Sequence, residues 1–289
     1  QLRSDSGGTV TGRFSYNNPN LQQIPARDSA DAELKIGTLI RSLFLPEDGE
    51  KWGSFDYSQQ EPRLVVHYAN KVGLEGSQKL LEAYQSDKNT DFHTIMAEIA
   101  NIPRKSAKTI NLGLFYGMGV GKLSDQMGID PAEAKALINQ YNERVPFVRQ
   151  LADKVSDHAQ RKGRVRTILG RQCRFDLWEP KSFGSHKAYP YEKAIEEYGS
   201  NIGLKRAGTY KSLNRLIQGS AADQIKKAMV ELYKEGIIPM IQIHDELAIS
   251  VDGSKEQQDK IIEVMENCLE MEIPSKVDVA VAKNWGETQ

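Results

Sequence analysis

One short segment constrains this chain more than any other, the run from Ile241 to Ile249. Apolar residues alternate on both sides of its middle, which predicts two half-buried strands. The triplet His244-Asp245-Glu246 lies where the tight connection between those strands would be. Carboxylates among strand-forming apolar residues are costly unless they are paired or bind a metal. An ordinary polar hairpin turn explains this segment equally well when it is taken alone.

A second segment puts another aspartate at the end of a strand. The run from Trp52 to Asp56 predicts a short strand, and a helix is expected from about Ser58 to Tyr68. Ser58 and Glu61 have the spacing of a capping box, so Glu61 has a purely structural explanation. Asp56 has no such explanation and is therefore a candidate active-site carboxylate.

Two aspartates from strand ends far apart in sequence suit a site for divalent metal ions. Such a pair can hold two ions roughly 3.5–4 Å apart, which clamp the attacking and leaving oxygens of a phosphoryl transfer. Mg²⁺ prefers hard carboxylate oxygens, so Asp56 and Asp245 are candidate ligands for two Mg²⁺ ions, with Mn²⁺ as a substitute. The two cysteines, Cys173 and Cys268, are too widely separated for a zinc motif.

A third segment carries cationic and then apolar residues at helical spacing. Four of its residues recur every fourth position: Arg104, Lys108, Leu112 and Tyr116. On a helix they form one ridge about 18 Å long. That order suits a nucleoside triphosphate, with cations for the phosphates and flat or apolar contacts for the sugar and base. Gly113 and Gly117 would let a base or backbone approach closely. A solvated basic helix face is the alternative interpretation.

These segments together resemble the family A DNA polymerases. The first catalytic motif of that family is matched by Asp56-Tyr57-Ser58-Gln59-Gln60-Glu61-Pro62-Arg63, its fingers helix by residues 104–117, and its third motif by His244-Asp245-Glu246. Three further segments agree: Thr11 to Ser15 with Asn20 to Gln22, Gly170-Arg171 with Arg174, and Asn214 to Gly219. The six motifs occur in the family's order over nearly the whole chain, so the resemblance is specific.

The resemblance assigns roles to individual residues. It implies that Asp56 and Asp245 bind the metals with the backbone carbonyl of Tyr57, that Glu246 is an auxiliary carboxylate, and that Lys108 is the general acid for the departing pyrophosphate. The implied nucleotide site consists of Arg104, Lys108 and His93 at the triphosphate, Leu112, Tyr116 and Gln59 beside them, and Glu61 as the gate against a 2′-hydroxyl. The implied DNA contacts are Arg13, Gln22, Arg41, Arg171, Arg174, Asn214, Arg215, Gln218 and His244.

The chain departs from the family pattern in several places. Leu112 stands where the family usually has Phe or Tyr, so discrimination against dideoxynucleotides does not carry over. Gln60 and Pro62 replace the usual apolar pair. The segment from Asp176 to Lys211 is longer than in the bacterial repair enzymes, which favours a phage-like branch.

The expected fold is an α+β right-hand polymerase core. An antiparallel palm sheet would come from residues 1–69 and 164–289, and a mostly helical fingers insertion from residues 70–163. Helices are expected within 72–89 and 129–159, and an acidic amphipathic helix within 256–272. The family's thumb and exonuclease domains precede the first motif, so we expect an N-terminal polymerase segment or a partner chain to supply them.

Composition fits this interpretation. A chain of 289 residues with 39% hydrophobic content can bury a large core. The net charge of −1 says nothing about nucleic acid, but basic residues crowd 161–174 and 205–215, where they could contact DNA phosphates; a solvated surface stripe is the alternative. No apolar run is long enough to span a membrane. Two isolated cysteines favour a reducing cell interior. The resemblance implies a bacterial or phage-infected cytoplasm, with an organelle as the alternative.

The predicted function is template-directed DNA synthesis. A DNA-directed DNA polymerase would add deoxynucleotides to a primer 3′-hydroxyl and release pyrophosphate, with primer–template DNA and a dNTP as its partners. Three alternatives are a single-subunit RNA polymerase, a metal-dependent nuclease that would need no Arg104–Lys108–Tyr116 ridge, and a non-catalytic DNA-binding accessory subunit.

Overall fold

The computed structural model describes residues 2–3, 9–25, 35–182 and 184–288. The helices are α1 (Ile36–Ser42), α2 (Gln60–Lys71), α3 (Ser77–Ser86), α4 (Phe92–Ala100), α5 (Arg104–Tyr116), α6 (Val120–Met127), α7 (Pro131–Arg144), α8 (Pro146–Lys162), α9 (Tyr191–Tyr198), α10 (Ser212–Lys234) and α11 (Lys255–Asn267). The strands are β1 (Leu2–Arg3), β2 (Ser15–Tyr16), β3 (Lys51–Tyr57), β4 (Arg164–Arg166), β5 (Gln172–Arg174), β6 (Leu177–Pro180), β7 (Tyr189–Pro190), β8 (Leu204–Arg206), β9 (Ile241–Ile243), β10 (Glu246–Val251) and β11 (Val277–Ala282). Short 3₁₀ helices span Leu21–Gln23, Thr209–Lys211 and Trp285–Thr288.

The chain divides into two compact units. The first comprises Gln1–Arg63, Tyr84–Asn89 and Ala221–Gln289, and the second comprises Leu64–Ala83 and Thr90–Ser220. Residues 164–220 therefore group with the helices, whereas the sequence division assigned them to the palm. Compactness and functional subdivision are different criteria, so the palm and fingers boundaries stay a prediction.

A four-stranded sheet is the centre of the first unit. Its strand order is β11-β3-β10-β9, and every neighbouring pair is antiparallel. β3 comes from the first part of the chain and its partners come from the last part. The predicted antiparallel sheet built from both ends of the chain is therefore confirmed.

The two faces of this sheet differ because side chains alternate along β3. Phe55 and Tyr57 are buried on one face, where they pack with residues of α10 and α11. Trp52 lies on the other face, where it packs against Trp285 of the last 3₁₀ helix. Asp56 shares the face of Trp52, since residues two apart on a strand point to the same side. Buried clusters thus lie on both faces of the sheet, and the acidic site shares the face of Trp52.

The predicted hairpin is present. β9 ends at Ile243 and β10 begins at Glu246, so His244 and Asp245 form a two-residue turn. His244 has a φ of 53°, which is a conformation that tight hairpin turns require and that non-glycine residues seldom adopt.

The second unit is largely helical, as expected for residues 70–163. Helices α3 and α7 fall within the predicted ranges, and α8 continues three residues beyond the second range, to Lys162. Helix α7 begins at the predicted cap, where Asp130 accepts a hydrogen bond from the Ala132 amide. Helix α11 covers most of the predicted acidic amphipathic segment, from Lys255 to Asn267, and its buried residues are Ile261 and Met265. Within the described residues, no helix combines the length and apolar character needed to cross a membrane.

Candidate active site

Asp56 and Asp245 contact each other in the first unit. The strand register sets Glu246 opposite Asp56, and the backbone amide of Tyr57 donates to the Asp245 carbonyl over 3.1 Å. These contacts bring the turn residue Asp245 beside the end of β3, and the two carboxyl groups share a hydrogen bond. Two aspartates that are distant in sequence thus form one side-chain pair.

The pair concentrates negative charge. Desolvation first, and then the charges of Asp245, Glu246 and Asp278, raise the pKa of Asp56 to about 8. Burial also raises the pKa of Asp245, while the hydrogen bond from Asp56 and the charge of Arg13 oppose that rise. Asp56 retains an exposed surface, so solvent and ions can reach the pair. A bound cation would favour the ionised form of both groups.

The donor chemistry of this pair fits Mg²⁺. Both side chains supply hard oxygen ligands, which Mg²⁺ prefers, and Mg²⁺ sites typically use one or two carboxylates with water and substrate phosphates. Over the described part of the chain, no group of three or more His, Cys, Asp or Glu side chains has metal-binding geometry. The Tyr57 side chain donates to the Met265 carbonyl over 2.6 Å inside the core, which leaves only its backbone as the predicted third ligand.

Glu246 is held on the same face of the sheet by its neighbours. The Ser54 hydroxyl donates to its Oε1 over 2.6 Å, and Trp52 Nε1 donates to the Ser54 hydroxyl over 3.2 Å. Burial raises the pKa of Glu246, and the Ser54 bond and the charge of Arg41 oppose this rise. Glu246 is thus anchored by hydrogen bonds that fix its position beside the aspartate pair.

The start of α2 carries the predicted nucleotide residues Gln59 and Glu61. Gln59 has a φ of 53°, and its side-chain oxygen accepts a hydrogen bond from the Tyr84 hydroxyl over 3.3 Å. Glu61 forms an ion pair with Arg13. The Glu61 carboxylate therefore has a partner from a distant segment, Arg13, besides any role that Glu61 has in capping its own helix.

Arg63 is a structural residue that sequence reasoning did not single out. It is 2% exposed, and it donates to the carbonyls of Ser58, Pro274 and Lys88 at 2.9, 2.7 and 2.6 Å. These bonds fix the turn after Asp56. A buried arginine one helical turn after a capping residue gives no distinctive sequence signal.

The DNA contacts predicted in the first unit lie in different environments. His244 is exposed on its turn, and Arg13 is half-buried. Gln22 donates to the Phe14 carbonyl over 3.2 Å, which joins the two parts of its motif. Arg41 is only 4% exposed, its guanidinium stacks 4.2 Å from the Trp285 ring, and it donates to the Ile24 carbonyl over 3.0 Å. The DNA contact predicted for Arg41 is not supported by this buried placement.

Helix α5 presents the predicted cationic ridge in the second unit. Arg104 and Lys108 are exposed, whereas Leu112 and Tyr116 are half-buried. Ala107, Ile110, Leu114 and Phe115 are buried on the opposite side. Arg104 also forms an ion pair with Asp91 over 2.5 Å, which ties the start of α5 to the start of α4. The helical period thus separates a solvent-facing cationic row from a core face.

His93 is part of a buried hydrogen-bonded chain. Tyr141 donates to Asn111 Oδ1, and Asn111 Nδ2 lies 3.1 Å from His93 Nδ1. An amide held in this orientation donates to Nδ1, so the remaining proton is on Nε2. Burial, opposed by Asp91 and assisted by Lys108 and Arg104, lowers the pKa of His93 to about 4. His93 is therefore a neutral Nε2–H donor near neutral pH.

The two glycines of α5 have local structural roles. A Cβ at Gly113 would meet the Leu123 side chain at 2.3 Å, so this glycine allows α6 to pack closely. Gly117 ends the helix with a φ of 65°, and a Cβ there would meet the Tyr210 carbonyl oxygen at 2.8 Å. Gly117 thus lets a backbone approach closely, as one of its two predicted roles requires, and Gly113 gives room to a side chain of α6.

The remaining predicted DNA residues lie together in the second unit. Arg171 donates to the Gly219 carbonyl over 2.9 Å, and Arg215 donates to the Arg174 carbonyl over 2.8 Å. The Arg215 guanidinium also covers the Phe175 ring at 4.3 Å. Arg174 is exposed, and Asn214 and Gln218 are partly exposed on the same helix as Arg215. Two motifs separated in sequence thus form one basic surface.

Sequence reasoning missed one carboxylate near the aspartate pair. Asp278 on β11 is directly opposite Asp56, and Lys276 pairs with it over 2.5 Å. Like charges opposite each other on a sheet are destabilising. The signal was the alternation of Val277, Val279 and Val281 around it, which is typical of a strand.

Comparisons with known proteins agree with the motifs. The family model described as DNA polymerase family A matches residues 4–287. The DNA-directed DNA polymerase of Pseudomonas phage M6 is 36% identical, over 98% of this chain and 44% of that protein. The thermostable DNA polymerase I of Thermus filiformis is 31% identical, over 99% of this chain and 32% of that protein.

A solved structure is similar throughout the chain. The POL domain of Pol1 from M. smegmatis, in complex with DNA primer-template and dNTP, matches with a TM-score of 0.75 and 29% identity. The match covers 97% of this chain and 47% of that chain, so the chain spans less than half the length of each of these three relatives. The predicted resemblance is confirmed, and the chain belongs to DNA polymerase family A.

Proposed function

We propose that this chain catalyses template-directed DNA synthesis. A primer 3′-hydroxyl would attack the α-phosphate of a dNTP, forming a new phosphodiester bond as the bond to pyrophosphate breaks. The observation that carries the proposal is the contact between the Asp56 and Asp245 carboxyl groups in a chain of this family. Because the relatives are more than twice as long, the activity of the whole protein is part of this proposal.

Asp56 and Asp245, with the Tyr57 carbonyl, would hold two Mg²⁺ ions. When bound, such ions lower the pKa of an attacking hydroxyl and neutralise charge on a leaving group. The raised pKa values of both aspartates support this role, because groups that resist ionisation together are well suited to share a cation. Glu246, fixed by Ser54, would keep further negative charge beside the pair.

The cationic face of α5 would bind the triphosphate. Arg104 and Lys108 would contact its oxygens as charged donors, and His93 would donate through its neutral Nε2–H. Lys108 Nζ would then transfer a proton to the oxygen that leaves with pyrophosphate. Leu112 and Tyr116 lie one and two helical turns further on, where they would contact the base and sugar.

Glu61 would exclude ribonucleotides. Its carboxylate would lie against the position of a 2′-hydroxyl, with Tyr116 on the sugar and Gln59 nearby. The ion pair with Arg13 would hold Glu61 in place and link the sugar site to the primer–template contact.

The basic surface of the second unit would bind the DNA backbone. Arg171, Arg174, Asn214, Arg215 and Gln218 would contact the primer–template with Gln22 and His244. We also propose that an N-terminal polymerase segment or partner chain supplies a thumb and an exonuclease domain.

Single-turnover primer extension tests the metal site. Asp56→Asn and Asp245→Asn should each lower the rate at least about 100-fold, the lower end of what loss of one electrostatic stabiliser costs in an active site. Asp48→Asn, which changes an exposed loop carboxylate, is the matched control and should stay within about twofold of the wild type, since surface substitutions are usually small in effect. Near wild-type rates in either site variant would refute the proposed site.

Sugar selectivity tests the Glu61 assignment and the RNA polymerase alternative. Wild-type protein should incorporate dNTPs in strong preference to rNTPs, and Glu61→Ala should raise relative rNTP incorporation roughly 10-fold or more, as expected for a change of 1–3 kcal/mol in a discriminating contact. Glu75→Ala, on an exposed position, is the control. Equal use of both sugars by the wild type would contradict the assignment.

A further inference from the structure

A chain of three polar side chains runs through the interior of the second unit. Asn111 on α5 and Tyr141 on α7 are fully buried, and neither is among the residues assigned to the nucleotide site. Tyr141 donates to Asn111 Oδ1, and Asn111 Nδ2 lies 3.1 Å from Nδ1 of His93 on α4. Three helices thus meet in one line of polar atoms, which ends at the residue proposed to bind the triphosphate.

Tyr141 fixes the direction of this chain. Its buried hydroxyl hydrogen needs an acceptor, because an unsatisfied buried donor is costly. Within the described residues, Asn111 is the only hydrogen-bond partner of that hydroxyl, and only the oxygen of an amide side chain accepts. Burial raises the pKa of Tyr141, so the hydroxyl keeps its hydrogen. The amide oxygen of Asn111 therefore faces Tyr141, and its NH₂ group faces His93.

The direction of the chain decides which nitrogen of His93 carries a hydrogen. Nδ1 accepts from Asn111, so Nε2 is protonated in the neutral ring. His93 is 7% exposed, and its Nε2 is not one of the fully buried polar atoms that lack a partner. No described residue bonds to Nε2. This N–H group is therefore open to a ligand.

The charged neighbours of His93 make the position of its hydrogen matter. Asp91 favours the charged ring, whereas burial, Lys108 and Arg104 favour the neutral one, and the pKa falls to about 4. A ring that is neutral near pH 7 has a single N–H group. With that hydrogen on Nδ1, the lone pair of Nε2 would face the triphosphate oxygens and repel them.

We infer that Asn111 and Tyr141 are positioning residues, which keep the hydrogen of His93 on Nε2 for donation to the triphosphate of an incoming nucleotide. Both are fully buried, so they act through His93 rather than on the nucleotide itself. The inference rests on the proposed role of His93 at the triphosphate. Because the donor is a neutral ring, its contribution to nucleotide affinity should not change between about pH 6 and pH 8.5.

NMR of the histidine ring nitrogens tests the tautomer in the whole chain. There are five histidines, and His93→Gln identifies the signals of His93. At pH 7.5 wild-type Nε2 should be protonated and Nδ1 should not; a hydrogen on Nδ1 would overturn the inference without any variant. Tyr141→Phe frees the amide to turn, so both tautomers should be populated. Tyr198→Phe, which removes a hydroxyl bonded to the Lys187 carbonyl, is the matched control and should leave these signals unchanged.

Reversing the hydrogen bond at Nδ1 tests the consequence for the nucleotide. In Asn111→Asp a carboxylate faces His93, so the ring hydrogen moves to Nδ1, and Nε2 gains one only when the pair takes up a second proton. Binding of dGTP with Mg²⁺, measured by calorimetry, should be about 10-fold weaker than in wild type at pH 8.5, the effect of losing one hydrogen bond to a charged group. The difference should shrink as pH falls to 6. Asn139→Asp, exposed on α7, is the matched control and should stay within about twofold.

The pH dependence separates positioning from damage to packing. A ratio of variant to wild-type affinity that is the same at both pH values would overturn the inference, because protonation does not repair packing. If Asn111→Asp does not fold, Tyr141→Phe gives the same test with about a twofold loss of dGTP affinity, as expected when half of the molecules hold the competent tautomer. Primer extension by the wild type reports separately on the proposed synthesis. An active protein with the other tautomer would overturn only the positioning role.

Discussion

The acidic site on the sheet and the cationic face of α5 obtain their geometry in opposite ways. Asp56 and Asp245 meet only because β3 and β10 pair in one register and a two-residue turn follows. Arg104, Lys108, Leu112 and Tyr116 align because each is one helical turn from the next. The first site depends on long-range pairing, whereas the second depends on local periodicity.

Their electrostatics differ in the same way. The sheet sets Glu246, Asp56 and Asp278 opposite one another in three neighbouring strands, and desolvation with mutual repulsion raises the pKa of Asp56. On α5 the cations face solvent, and Arg104 already has Asp91 as a partner. A site made by tertiary structure can thus hold like charges together, which a solvated helix face does not need to do. Repulsion between these carboxylates lowers stability as they ionise, so the pH dependence of unfolding distinguishes the two regions.

Removing the central cation of α5 should have the largest effect on catalysis. Lys108→Ala should lower the single-turnover rate of primer extension about 1,000-fold, because a general acid contributes 100- to 10,000-fold. The free energy of unfolding should hardly change, since the side chain is exposed. Lys105→Ala, on the same helix but outside the ridge, should stay within about twofold, as surface changes usually do.

If Lys108→Ala and Lys105→Ala slowed extension equally, the row of cations would have no special role. The helix face would then be a solvated surface without a catalytic role. The carboxylate site and the α5 face would differ in their effect on activity as well as in their geometry.

His93 should make the stability of the second unit sensitive to acid. Its pKa is about 4 in the folded protein and about 6.5 when unfolded. The unfolded state therefore binds the proton more readily, and the stability that neutral His93 preserves is lost as pH falls from 6.5 towards 4. At pH 4.5 wild type should have lost about 2 kcal/mol from this group relative to pH 7.5, by the linkage between pKa and stability.

Urea unfolding of wild type and His93→Gln at pH 7.5 and 4.5 measures this term. The difference in unfolding free energy between the two proteins should move in favour of the variant at the lower pH. The substitution removes the hydrogen bond to Asn111 at both pH values. The contribution of that bond to the unfolding free energy therefore cancels when the two pH values are compared. A difference independent of pH would show that His93 is not held neutral.

The acidic site should respond to pH in the opposite direction and by less. The pKa of Asp56 is about 8 in the folded protein and about 3.9 when unfolded. Wild type therefore loses stability as pH rises through this window. Because Asp56 is exposed, screening reduces the effect, and Asp56→Asn should be more stable by about 1 kcal/mol at pH 8.

Thermal unfolding in EDTA at pH 5 and 8 tests this expectation. The variant should melt about 2–4 °C above wild type at pH 8, the shift expected for 1 kcal/mol in a large domain, and by less at pH 5. Added Mg²⁺ should raise the melting temperature of wild type more than that of the variant, because a ligand stabilises only the state that binds it. A variant that melts lower at pH 8 would argue against repulsion in the pair.

Local patterns predicted the elements that carry both sites. Helix α5 spans Arg104–Tyr116, as the recurrence of ridge residues at every fourth position indicated. The hairpin of β9 and β10 turns at His244 and Asp245. Other contacts were beyond sequence reasoning. Arg41, predicted at DNA, stacks on Trp285, and Gly113, expected to let a base or backbone approach, packs on Leu123. Each of these involves a partner far along the chain or on another helix, which no local pattern specifies.

The sequence by itself determined the family and the antiparallel sheet and indicated candidate residues for phosphoryl transfer, because alternation, helical period and ordered motifs are written along the chain. Tertiary structure alone decided that Asp56 touches Asp245, that Asp278 lies opposite Asp56, and that Arg13 pairs with Glu61. The physical reason is that register and side-chain pairing between distant segments follow from the packing of the whole sheet. Charge proximity, and the pKa values it sets, exists only once that packing is complete.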